Sequence, residues 1–217
     1  MASLELRRFT QKVDLPLEQC RAEWRGEMSD YYFDIETYSK TPKPDFNNDE
    51  IIAITYQQID SRTGEAKGEL NILKSWESSE REILQKFSPI FNPEKKWDFV
   101  PIGCNLSFDF TSLILRWKEM GIKVNARNLF AERLYIDIQP LLIIFNGGSI
   151  RGATLEKFAG KQYSGSMVKE WYEKKDYPAI QEYIEDEVDK FLGLYQFLIQ
   201  RLPGVWLEFA KGCKIVV

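Results

Sequence analysis

Hydrophobic and polar positions alternate along Tyr31–Tyr38 (YYFDIETY), which predicts a β-strand rich in aromatic and β-branched residues. Successive side chains leave a strand on opposite faces, so Asp34 and Glu36 share one face while Phe33, Ile35 and Thr37 share the other. Two more β-rich runs follow, Ile51–Ile59 and, after the turn Ser61–Glu65, Gly68–Leu73, which extend this strand into an antiparallel meander. At Glu80–Phe91 the period becomes helical: Ile83, Leu84, Phe87, Ile90 and Phe91 fall on one side, with Ser78 or Ser79 as the cap. Phe99–Cys104 reads as a buried parallel-type strand. A helix through Leu113, Ile114, Trp117 and Met120 comes next, and Leu134–Ile138 (LYIDI) reads as a fifth strand.

The C-terminal half is helical in pattern. Thr154 caps a short helix to Ala159, Met167–Lys174 forms another, and Tyr177–Arg201 is a long helix ended by Pro203 and Gly204. At roughly 100° per residue, Ile180, Ile184, Val188, Phe191, Tyr195 and Leu198 make one core-facing stripe. Glu187 lies about 50° from its centre, Tyr183 about 90° and Asp186 about 150°. Tyr183 and Glu187 therefore share the margin of the buried face, and Asp186 points mostly to water. The expected class is α/β, a mixed five-stranded sheet flanked by helices, occupying residues 30–202. Residues 1–29 are an extension packed on the domain, with Pro16–Glu27 as a short amphipathic helix, and 203–217 a tail or edge strand.

Two acids on one face of an interior strand are costly, because buried like charges repel and lose hydration. A divalent cation removes that cost, and a hard metal asks for clustered carboxylate oxygens. A sheet-edge strand with two solvated acids is the other reading. A second stretch, Gly103–Phe110 (GCNLSFDF), puts Asn105 and Asp109 at a strand exit, where open α/β sheets place their sites. Asp109 also suits an ordinary first helical turn, and Asn105 an ordinary turn.

Composition narrows the chemistry. At 217 residues the chain is long enough for one domain with a full core. It contains no histidine, which excludes Ser-His-Asp and Cys-His catalysis, His-ligated zinc and any imidazole base. Catalysis must run on carboxylates, a tyrosine, a lysine or a metal. Three scattered cysteines make neither a disulfide framework nor a zinc site, and a reducing cytoplasm is expected. No apolar run reaches membrane-spanning length, and the N-terminus has no signal-peptide layout. A net charge of -4 argues against a broad basic face for duplex DNA. Arg116, Lys118, Lys123, Arg127 and Arg133 form a locally basic run, read either as a solvated face or as phosphate contacts.

Three motifs resemble those of the DEDD 3′–5′ exonucleases of the ribonuclease H-like superfamily, in the tyrosine subclass that includes the proofreading domains of DNA polymerases. They are Phe33-Asp34-Ile35-Glu36-Thr37, Gly103-x-Asn105-x-x-Phe108-Asp109, and Tyr183-x-x-x-Glu187-Val188. The resemblance implies a ribonuclease H-like fold and two-metal hydrolysis, with Mg²⁺ or Mn²⁺, of nucleotides from the 3′ end of single-stranded nucleic acid, DNA favoured. It implies that Asp34 bridges both ions, Glu36 and Glu187 complete one shell, and Asp109 helps hold the other ion. Tyr183 would orient or help deprotonate the attacking water. Thr37, Tyr38, Asn105 and Phe108 would hold the terminal nucleotide, and a replication or repair protein would be a partner. One departure stands out: the family's fourth acid is an aspartate four residues after the tyrosine, where this chain has Glu187, with Asp186 one step earlier as the alternative ligand. Two other readings are a catalytically impaired nucleic-acid-binding or scaffold domain, and an endonuclease of the same fold.

Overall fold

Strand β1 (Asp30–Tyr38) is the centre of a five-stranded sheet. On one side it pairs antiparallel with β2 (Glu50–Ile59), which pairs antiparallel with β3 (Asn71–Lys74). On the other it pairs parallel with β4 (Val100–Gly103), and β4 pairs parallel with β5 (Ile136–Asp137), giving the order β3-β2-β1-β4-β5. The computed structural model describes residues 28–41, 45–46, 48–91, 97–124, 133–160 and 163–212, with side chains as far as Arg201. The Pro16–Glu27 helix, the rest of the 1–27 extension and residues 213–217 lie outside the described residues.

Both faces of the sheet are covered, and the alternation along β1 decides which side chain serves which face. Phe33 and Ile35 join a cluster with α1 (Glu80–Phe91) and α2 (Leu106–Glu119), built on Phe87, Phe91, Phe110, Leu113 and Trp117. Phe33 stacks on Phe87 at 5.5 Å between centroids, and the Trp117 indole N–H donates to the Leu84 carbonyl at 3.1 Å. Tyr32 points the other way, to α6 (Tyr177–Gly212), where it meets Phe191 at 4.8 Å beside Ile180, Ile184 and Val188. Three short helices, α3 (Gln139–Phe145), α4 (Leu155–Ala159) and α5 (Ser166–Lys174), complete this second layer. Ser79 caps α1 through the Glu82 amide (3.3 Å), and Thr154 caps α4 through Lys157 (3.4 Å).

Several elements differ from the expectations. The third strand begins at Asn71 rather than Gly68, because the Lys67 and Gly68 amides turn back to the Gln58 carbonyl. The fifth strand shrinks to Ile136–Asp137, since the Asp137 carboxylate is taken up by neighbouring amides and Gln139 opens a helix. Pro203 does not end the long helix: its backbone stays helical to Gly212, so residues 203–212 continue α6 rather than forming a tail or edge strand. A proline removes one i→i−4 bond, which a helix continuing on both sides survives. Pro89 is likewise held inside α1.

The basic run is only partly a solvated face. Arg116 is buried, its Nε donating to Glu80 at 2.7 Å and its other nitrogens reaching Glu80 and Glu119. Arg133 is buried with its guanidinium 4.6 Å from the Phe91 ring centroid. Neither is presented to a phosphate; Lys118 and Lys123 are exposed, and Arg127 lies outside the described residues. No helix among the described residues is long and apolar enough to cross a membrane.

Candidate active site

The face of β1 that carries Tyr32 also carries Asp34 and Glu36, so both acids look toward α6. A bulge between Glu36 and Thr37 lies where β1 leaves the body of the sheet; bulges bend a strand and re-aim its side chains. From α6 comes Glu187, 8% exposed beside Glu36 at 9%. Ligand oxygens of Asp34, Glu36 and Glu187 all lie within 4.8 Å of one another. At that separation each ionised pair repels by roughly 3 kcal/mol at an effective dielectric of about 20. A hard divalent cation relieves that repulsion, and an all-carboxylate donor set suits Mg²⁺ or Mn²⁺ better than zinc or copper.

Tyr183 lies one turn before Glu187, is buried, and is hydrogen-bonded to the Glu187 carboxylate. Burial pushes its phenol far above the ordinary value, and the negative charges of Glu36, Glu187 and Asp34 push it further. The phenol is therefore held in its neutral form.

Asp109 reaches the site by another route. It lies in the first turn of α2, 2% exposed, and its Oδ1 accepts the Ile35 amide at 3.1 Å. Ile35 separates the two acids of β1, and β4 has ended by this level, so the carboxylate takes the place of a strand partner. Burial pushes the Asp109 carboxyl up to about 8; the Ile35 amide and its own amide oppose this, and Asp137 and Glu187 reinforce it. Asp109 is thus next to the cluster but outside the trio of converging oxygens, and one of its oxygens is committed to the strand.

The turn into α2 is held by two residues. A Cβ on Gly103 would stand 2.6 Å from the Phe33 carbonyl oxygen and 2.6 Å from Leu106 Cδ2, so only glycine permits this approach. Asn105 adopts the left-handed conformation (φ 65°). Its amide donates to Asp137 Oδ1 at 2.8 Å, while the Leu106 amide donates to Asp137 Oδ2 at 3.0 Å and the Gln139 amide to Oδ1 at 2.9 Å. Asp137 had no role assigned from sequence, yet it caps α2 from the neighbouring strand. An aspartate just before a Gln-Pro helix start was the available signal.

A groove of about 320 Å³ runs alongside, lined by Asn105, Gln139, Tyr163, Gly165, Tyr183 and Glu187 among others. Asn105 therefore faces it. Thr37 is half-buried just past the bulge. Tyr38 is engaged with α5, its hydroxyl donating to Glu173 (3.3 Å) and its ring 5.0 Å from Tyr172. Phe108 packs on Phe46 at 5.3 Å. Asp186 is not solvent-directed as its wheel angle predicts: it is half-buried, and its Oδ2 is enclosed without a hydrogen-bond partner among the described residues. It stands outside the cluster that Glu187 joins. The Cys104 thiol, also at the groove, is pushed up to about 12 by burial and the surrounding acids, so it is no nucleophile.

No protein-family model matches the chain, and no curated protein does. Solved structures do match. The family B DNA polymerase of the archaeon Pyrobaculum calidifontis superposes with a TM-score of 0.60 at 21% identity, over 80% of this chain and 25% of the polymerase. E. coli exonuclease I with a dT13 oligonucleotide gives 0.57 at 10% identity, over 83% of this chain and 43% of that one. An exonuclease I complex with the SSB C-terminus gives 0.54 at 11%, over 85% and 44%. The chain thus spans a quarter to under half of the proteins it resembles. The shared architecture is the ribonuclease H-like exonuclease fold, a mixed five-stranded sheet flanked by helices.

Proposed function

We propose that this chain is a metal-dependent 3′–5′ exonuclease acting on the end of a single strand, with DNA favoured over RNA. The observation that carries the reading is the convergence of Asp34 and Glu36 from β1 with Glu187 from α6, far apart in sequence, at a spacing where a bound cation offsets their mutual repulsion. The likeness to solved exonucleases adds support through the fold.

Asp34, Glu36 and Glu187 would hold Mg²⁺ or Mn²⁺, with Asp109 as the further carboxylate for a second ion. Bound there, the ions supply Lewis-acid stabilisation of an in-line phosphoryl displacement. The rest falls to the chain's own groups. Tyr183, its single hydroxyl hydrogen donated to Glu187, would orient the attacking water by accepting a hydrogen bond from it. Glu187 fixes that phenol in place. Asp109, through the Ile35 amide, keeps the two β1 acids at a set height against α6. Asn105 in the groove, together with Thr37, Tyr38 and Phe108, would hold the last nucleotide through backbone contact and stacking. A replication or repair protein is the expected partner.

The test is a 5′-labelled oligonucleotide, as DNA and as RNA, incubated with Mg²⁺ or Mn²⁺. The native chain and Asp186→Ala should shorten it stepwise from the 3′ end, whereas Asp34→Ala and Glu187→Ala should leave it intact. Internal fragments would assign an endonuclease instead. An intact strand under every condition would assign a binding or scaffold role. Loss in Asp186→Ala with Glu187→Ala active would move the fourth ligand by one residue.

A further inference from the structure

Gly165 stands at the entrance to α5 with φ −55° and ψ −20°, angles that any L-residue adopts. No side-chain cap is made at this position, and Ser164 Oγ accepts the Ser166 amide at 3.4 Å. Backbone geometry therefore gives no reason for glycine. On backbone grounds alone an alanine would stabilise the fold by narrowing the unfolded ensemble.

The reason lies across the groove. A Cβ on Gly165 would stand 3.2 Å from the Tyr183 hydroxyl, and, chain neighbours aside, no other atom of the described residues comes within 4 Å. That is closer than a Cβ ordinarily sits to a neighbour, so the hydroxyl would have to give by a few tenths of an ångström. It has little room to do so. The Tyr183 ring rests against Trp171 of α5 at 6.0 Å, Trp171 in turn meets Tyr163 at 5.8 Å, and the hydroxyl is bonded to Glu187. Gly165 and Tyr163 also line the groove with Tyr183 and Glu187.

We propose that Gly165 is a positioning residue: its bare Cα is the stop against which the Tyr183 hydroxyl seats beside Glu187, and any side chain there displaces the hydroxyl from its working position. The inference rests on the role given to Tyr183 above. It adds α5 to the elements that set the site, and a residue that none of the three motifs contains.

A double-mutant cycle tests it, with Gly165→Ala made in the native chain and in Tyr183→Phe. In the native background kcat on the labelled single strand should fall about tenfold or more, as misplacement of a reacting group does. KM should stay within about twofold, and the variant should still unfold in one cooperative transition on heating. In the Tyr183→Phe background, where the hydroxyl is gone, the same change should cost less than about twofold. Equal losses in both backgrounds, or no loss in the native one, would overturn the assignment. A second readout is independent of turnover: the ¹³Cζ resonance of Tyr183, identified by its disappearance in Tyr183→Phe, should move in Gly165→Ala. If the native chain cuts no strand, the exonuclease reading fails, while a shifted resonance still supports the seating and an unmoved one refutes it.

Discussion

Arg133 shows how a single residue departs from its sequence neighbourhood. It belongs to a basic run, yet it is buried over Phe91, Nη1 lacks a hydrogen-bond partner, and burial brings its guanidinium down to about 10. A base whose folded pKa is depressed costs stability while charged, and that cost lifts only as pH rises through about 10 toward its unfolded value. Arg133→Met should therefore be within about 1 kcal/mol of the native chain at pH 7, or more stable. In urea titrations the native chain should gain on the variant between pH 9 and 11. Gly103 is the opposite case, a residue with no tolerance. The atom its Cβ would strike is a backbone oxygen, which cannot rotate away, so Gly103→Ala should cost about 2–3 kcal/mol in denaturant unfolding.

At the scale of elements, α2 is aimed by a strand it does not follow. Asp137 on β5 accepts the Asn105 and Leu106 amides at its start, and Asp109 one turn on accepts the Ile35 amide of β1. Asp137→Ala should cost about 2 kcal/mol, the upper range for a lost cap. Because the turn also places Asn105 and Asp109, the proposed exonuclease activity should be lost even where the variant stays folded; wild-type activity in the folded variant would refute this link. These contacts explain what was and was not legible beforehand. Strand and helix positions were readable because they are local repeats, and so was the face shared by Asp34 and Glu36. The shortened β5 was not, because it depends on Asp137 hydrogen bonds to residues outside the strand pattern, nor was the continuation of α6 through Pro203, because a proline read locally signals a helix end.

On the scale of the whole molecule, the cluster is a local conflict that the rest of the fold sustains. Two large cores, Phe33 with α1 and α2 on one face and Tyr32 with α6 on the other, press three carboxylates together. Glu187→Gln should accordingly raise the thermal midpoint of the metal-free protein. Saturating Mn²⁺ should reverse the order, since ligand at about 100 times its Kd adds about 2.7 kcal/mol to the form that binds it. Parallel shifts of both proteins with Mn²⁺ in a melting experiment would count against a cation at this cluster.

By itself the sequence determined the periodicities: which residues of β1 share a face, that Tyr183 and Glu187 lie at the edge of the α6 stripe, and that without histidine any catalysis must run on carboxylates, a tyrosine, a lysine or a metal. Those follow from repeating backbone angles, which neighbouring residues fix among themselves. Only the tertiary structure decided that Glu187 rather than Asp186 meets the β1 acids, that Asp109 spends an oxygen on Ile35, that Glu80 captures Arg116, and that Gly165 stands against Tyr183. Each is a meeting between residues of different elements, set by how the layers pack, and no local pattern encodes where a distant partner will arrive.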